Sequence, residues 1–256
     1  VAVSVFWIRR NVVRLKRFMN PEMKGFPKSD ANYILYFEVV LMTLFLLMNA
    51  SDLHLQNVPG GFSHFIQAGS FPISQFIEPL FNGMSNEFVM LLTEIFWWLH
   101  IVGILIFMNY LYFSKHLHIL LAFPNTYFAN LNPMGQFDNL EAVTKEVKMI
   151  MDPNADPFAA SDVQDLNWVQ LLNAYTCTEC GRCTSSCPAN QTGKKLSPRK
   201  IMMDTRDRLE EVGKNIDANK GTFVPDGKQL LGDYISHEEL WACTTCNACV
   251  QACPVS

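Results

Sequence analysis

The chain has 256 residues, 49% of them hydrophobic, and a formal net charge of −4. That length allows one or two domains with a sizeable core, and the weak charge, with no basic stripe studded with aromatics, argues against a nucleic-acid-binding surface. All eight cysteines fall between Cys177 and Cys253, and the long apolar stretches ahead of them exclude a small secreted disulfide scaffold.

Lys and Arg set the topology. All twenty lie within residues 9–28 or 115–228, and none occurs between Ser29 and Ser114. By the positive-inside rule both flanks are cytoplasmic, so the uncharged stretch crosses a membrane and returns. Val1–Ile8, followed by Arg9-Arg10, reads as the inner end of an earlier transmembrane helix. Two apolar segments follow, at about 31–53, interrupted by Glu38, and about 88–113, with Glu94 and His100 inside it. Each exceeds the roughly 20 residues that a spanning helix needs. Trp97-Trp98 and Tyr110/Tyr112 read as the outer and inner aromatic belts of the second segment. Residues 54–86 form an outer connection rich in Phe, Pro and Gly.

Beyond Lys115 the chain leaves the membrane. Residues 119–165, with Pro124, Pro133, Pro153 and Pro157, read as a linker along the membrane surface, and 166–256 form a cysteine domain. Ser197-Pro198 opens a helix, with Ser as cap and Pro in the first turn, whose apolar face runs through Ile201 and Leu209. Ser236 and Glu239 make a capping box ahead of a helix that delivers Cys243. No period-two pattern points to a strand, so the expected fold class is all-α. The expected organisation is a membrane anchor over 1–118, a linker over 119–165 and a cysteine domain over 166–256.

The two runs CTECGRCTSSCP (177–188) and CTTCNACVQACP (243–254) both read C-x2-C-x2-C-x3-C-P. In this pattern the first three cysteines ligate one [4Fe–4S] cubane and the fourth, ahead of Pro, ligates the other. Cys177, Cys180, Cys183 and Cys253 are therefore expected to hold one cluster, and Cys243, Cys246, Cys249 and Cys187 the second. Zinc is the alternative, but two C-x2-C pairs would suffice for it, leaving the third cysteine and the repeated Cys-Pro without a role.

YTCTECGRCTSSCPANQTGKKLSPRKIM and ELWACTTCNACVQACPV resemble the iron–sulfur domain of heterodisulfide-reductase-related oxidoreductases. They are also similar to the iron–sulfur subunits of glycolate oxidase and anaerobic glycerol-3-phosphate dehydrogenase, and to the second domain of the succinate dehydrogenase iron–sulfur subunit. FWWLHIVGILIFMNYLYFSKHLHILLAFPN resembles the membrane anchor fused to such domains, which is related to the nitrate reductase gamma subunit. The combination occurs in membrane-bound electron-transfer-flavoprotein:menaquinone oxidoreductases. The resemblance implies transmembrane helices followed by an α-helical ferredoxin-like domain with two [4Fe–4S] clusters, on the cytoplasmic side of a multi-pass inner-membrane protein. It also implies electron exchange between a soluble dehydrogenase or electron-transfer flavoprotein and a membrane quinone, with further subunits as partners. Many of these proteins continue into cysteine-rich CCG domains, and no CCG occurs here. A thiol or heterodisulfide reductase whose catalytic CCG domains lie outside the chain is the alternative.

The gamma-subunit resemblance further implies bis-histidine b haems. His54 or His64 with His100 is a candidate outer pair, and His118, five turns beyond His100, a candidate inner ligand. Equally, His116 and His118 read as interfacial residues. Glu38, Glu94 and His100 are ionisable groups at membrane depth, which usually mark a proton or ligand path, and His100 with Glu94 is a candidate quinone contact. Lys194, Lys195, Arg199 and Lys200 form a basic cluster, read as a solvated face or a dock for an acidic redox partner.

Overall fold

A computed structural model of the protein describes residues 1–58, 69–132 and 160–255. They form two compact units, one of Val1–Leu15 with Lys28–Ser114 and the other of Lys16–Pro27 with Lys115–Ser256. The fold is helical; among the described residues the sole β pairing is an isolated bridge between Leu231 and Ile235.

The first unit is built on α1 (Ala2–Asn11), α2 (Phe26–Gln56) and α3 (Asn86–Leu111). α2 extends beyond its apolar run at both ends, while α3 begins two residues before its run and ends two residues short of it. Asp30, buried near the start of α2, accepts a hydrogen bond from the Tyr110 hydroxyl of α3 at 2.5 Å. Further along the antiparallel pair, the His100 ring donates from Nδ1 to the Leu41 carbonyl at 2.9 Å, and Thr93 Oγ1 donates to Ser51 Oγ at 2.9 Å. Gly103 permits the close approach, since a Cβ there would stand 2.6 Å from the Leu41 side chain. Ala50, Leu55, Phe81 and Val89 close an apolar core at one end, while α1 joins α2 through reciprocal Asn11–Asn32 amide bonds. Tyr110 is thus engaged between helices, while Tyr112 is exposed.

In the second unit, α4 (His118–Tyr127) covers the start of the stretch that the sequence assigns to a linker, and it packs on α5 (Trp168–Thr176). Most of the rest of that stretch, 133–159, lies outside the described residues. Short helices α6 (Arg182–Ser186) and α7 (Pro188–Gln191) follow the first cysteines, then the long α8 (Pro198–Ala218), α9 (His237–Trp241) and α10 (Ala248–Gln251). Ser197 caps α8 with Pro198 in its first turn, and Ser236 and Glu239 form the capping box of α9. Val212 of α8 meets Val163, Leu230 and Ile235 in the core, with Ile201 and Leu209 packed against them. Arg208, on the same helix, is buried and gives bidentate hydrogen bonds to Asp162 and Asp226, so its charge is compensated where water is absent.

A candidate dicluster iron–sulfur site

Both cysteine runs adopt the same backbone. The residue two after the first cysteine is left-handed in each, Glu179 at φ 54° and Thr245 at φ 53°. The residue two before the third cysteine is left-handed as well, Gly181 at φ 73° and Asn247 at φ 57°, each opening a short helix, α6 or α10. Alternating right- and left-handed residues turn successive N–H groups toward one centre, a concavity suited to an anion. The hydrogen bonds repeat too: the Thr245 N–H points at Cys243 Sγ at 3.4 Å, and the Glu179 N–H does the same for Cys177.

The fourth cysteine of each run neighbours the third of the other, Cys253 near Cys183 and Cys187 near Cys249. α10 packs against α6. Burial pushes the Cys183 thiol up, against a hydrogen bond from Thr184, and the charges of Cys180 and Cys253 push it further. Cys249 is likewise pushed up by burial first, with Cys243 and Cys187 as its charged neighbours. The sulfurs therefore fall into a group around Cys183 that includes Cys253, and one around Cys249 that includes Cys187. Among the described residues no three His, Cys, Asp or Glu side chains close on one point as a single-ion site requires.

The surroundings of the two loops differ sharply. In the first, burial pushes the Cys177 thiol up to about 12. Glu179 is buried within that loop, its carboxylate bound by Lys115 Nζ at 2.5 Å and Arg206 Nη2 at 3.0 Å. Burial opposes the charge on Arg206, but the Glu179 carboxylate more than restores it. Arg199, fully buried, lies under Gly181 and donates to the Arg17 carbonyl at 2.7 Å and to Glu22 Oε1 at 2.8 Å. Glu22 also accepts from Ser197 Oγ, and although burial would raise its pKa, these partners hold it below the usual carboxylate range. The second loop is open. Cys243 and Cys246 are exposed, as is Trp241, and the Ala248 N–H holds the Cys246 thiol below its ordinary pKa.

Comparison with known proteins agrees with this geometry. Residues 176–256 match the 4Fe-4S dicluster domain. Across its whole length the chain is 30% identical to the "Probable iron-sulfur-binding oxidoreductase FadF" of Bacillus subtilis, covering 37% of that protein. Its relatives are iron–sulfur oxidoreductases. Over 94% of the chain it is 25% identical to the EtfAB:quinone oxidoreductase of Syntrophomonas wolfei, covering 35% of that protein. A 41% share of it is 32% identical to the "Probable membrane-anchored ferredoxin" of Chromohalobacter salexigens, 18% of whose length is covered. The chain thus spans little more than a third of the first two relatives. No solved structure matches it.

Outside the dicluster domain, the candidate histidines are not free side chains. His54 is half-buried, its Nδ1 2.7 Å from Glu78 Oε1. His118 Nδ1 is 2.8 Å from the Lys115 carbonyl, and its ring meets that of His116 edge-on. A carbonyl can only accept, so Nδ1 carries the proton in both His100 and His118, and Nε2 is the atom left for another partner. Glu94 is exposed on α3, six positions before His100 and about a third of a turn round the helix from it, so the two do not converge. His64 lies outside the described residues. Nor do the basic residues near 194–200 make a patch: Lys195 pairs with Glu238, Lys200 with Asp204 and Glu239, and Arg199 is interior. Glu179, Lys115, Arg206, Glu22 and the Asp30–Tyr110 pair escape a sequence reading. The available signal was an acidic residue inside C-x2-C, where the equivalent position of the other run is Thr.

Proposed function

We propose that this chain is the membrane electron-transfer part of a quinone-linked oxidoreductase, exchanging electrons between a soluble dehydrogenase or flavoprotein and a membrane quinone. The observation that carries the reading is the pair of matching cysteine loops, each neighboured by the fourth cysteine of the other, in a chain with two apolar helices of spanning length. Cys177, Cys180, Cys183 and Cys253 hold one cluster and Cys243, Cys246, Cys249 and Cys187 the other. When bound, the clusters supply one-electron transfer. The cysteines of the first group are half-buried, whereas Cys243 and Cys246 of the second are exposed and open to a partner.

Several features support the membrane half of the reading. Most of the apolar side chains of α3, among them Trp98 and Leu105, are exposed, which water would penalise and lipid would not. On α4, Leu120, Phe123 and Tyr127 are exposed as well. The Lys/Arg distribution puts the cysteine domain in the cytoplasm and residues 54–86 outside. His100, with Nε2 available, is the leading contact for haem or quinone, and its Nδ1–H bond to the Leu41 carbonyl is the support such ligands commonly have.

Spectroscopy of the detergent-purified protein tests the core of this reading. Cys187→Ser should perturb the EPR signal of the cluster otherwise held by Cys243, Cys246 and Cys249; perturbation of the first cluster alone would refute the cross-ligation. A cysteine at Gln56 should react with an impermeant thiol reagent in intact cells, and its protection would reverse the orientation. His100→Ala separates three roles: loss of Soret absorbance marks a haem ligand. Intact cofactors with roughly tenfold lower quinone turnover mark a quinone contact. A stability loss of roughly 1–3 kcal/mol alone marks only the hydrogen bond to Leu41.

A further inference from the structure

The two cysteine loops share a backbone but not a charge environment, and the difference centres on one residue. Glu179 stands between two cluster cysteines, its side chain 3% exposed. It also takes a left-handed conformation that glycine or asparagine would adopt at less cost. A buried carboxylate persists only where partners compensate its charge. Here they are the Lys115 ammonium, 8% exposed, and the Arg206 guanidinium, 15% exposed. The backbone carbonyl of Glu179 faces Arg199 Nη1 at 3.5 Å. The equivalent residue of the second loop, Thr245, is neutral, and its hydroxyl donates to the Thr244 carbonyl.

A cluster reduced by one electron gains one unit of negative charge. Fixed charges beside it then act on its potential directly, and the more strongly the less water lies between. We propose that the Lys115–Glu179–Arg206 group sets the reduction potential of the cluster in the first loop: the carboxylate opposes the added electron and the two cations favour it. This rests on the assignment of that cluster to Cys177, Cys180, Cys183 and Cys253. Lys115 and Arg206 are 91 residues apart in sequence and meet only at Glu179, so the group is an arrangement of the folded chain.

The test is a mediated redox titration of the purified full-length protein, reduced with dithionite and followed by EPR, with the first-loop signal identified through Cys180→Ser. Glu179→Gln should make reduction of that cluster at least tenfold more favourable, which is 59 mV for a one-electron couple. Lys115→Gln and Arg206→Gln should each shift it the opposite way, while Glu179→Asp and Lys115→Arg stay near the wild-type value. The second cluster should not move by a comparable amount. A purely structural role gives no such opposition of sign. Intact signals with unchanged midpoints, or shifts of one sign in all the neutralised variants, overturn the proposal, as does loss of the first cluster in every neutralised variant. If Glu179→Gln alone loses the cluster, the two cation variants still decide through the fall they predict. A Cys180→Ser protein that keeps both signals would instead refute the cluster assignment on which the proposal rests.

Discussion

The loop at Cys177–Cys187 and the loop at Cys243–Cys253 have the same cysteine spacing, the same left-handed positions and the same N–H to sulfur contacts. Yet one is half-buried and the other open. Beneath the first lie Arg199, Glu22 and the backbone of residue 17, and beside it Lys115, Glu179 and Arg206. The second begins with exposed Cys243 and Cys246, just after an exposed Trp241. A local motif therefore sets where the sulfurs point, while distant chain segments set how dry and how charged the site is. Burial raises the Cys177 thiol, and a backbone N–H lowers that of Cys246, in two loops of equal pattern.

The largest expected effect lies under the first loop. Arg199→Leu should cost about 3–5 kcal/mol, because it leaves the buried Glu22 carboxylate and the Arg17 carbonyl without their donor. Denaturant unfolding and iron content per chain would show it. Lys195→Ala, which breaks only the exposed Lys195–Glu238 pair, should change stability by less than about 1 kcal/mol. Equal losses in the two variants would erase the contrast.

Next comes the left-handed residue that opens each short helix. Gly181→Ala should cost about 2 kcal/mol or more, since its Cβ meets Arg199 Nη1 at 2.5 Å in addition to the conformational cost. Asn247→Ala should cost only about 1 kcal/mol, and Asn247→Gly nothing measurable. The readouts are melting temperature and cluster occupancy. Access gives a kinetic version of the same contrast: an iron chelator should bleach the second cluster several-fold faster than the first, following the exposure of Cys243 and Cys246. The smallest effect belongs to Thr245→Val, which should leave stability within about 0.5 kcal/mol.

Much of the helical frame could be read from the chain because its signals are local. Ser197 with Pro198, and Ser236 with Glu239, satisfy helix N–H groups within one turn, so the residues that make the bond also announce it. Tyr110 misleads for the opposite reason: nothing near it in sequence announces that its hydroxyl finds Asp30, 80 residues away. Arg199 misleads in the same way, sitting among three lysines in sequence and inside the protein in fact.

From residue order alone came the helical class, the two apolar helices and the doubled cysteine motif. All of these follow from spacing, periodicity and composition over a few turns of chain. Only the tertiary structure brought residues 16–27 into the same unit as the cysteine loops, buried Arg199 against Gly181, and enclosed Glu179 between Lys115 and Arg206. Those contacts join residues 18 to 182 positions apart, and a buried charge is tolerable only where a partner stands within hydrogen-bond reach, a condition that no local pattern encodes.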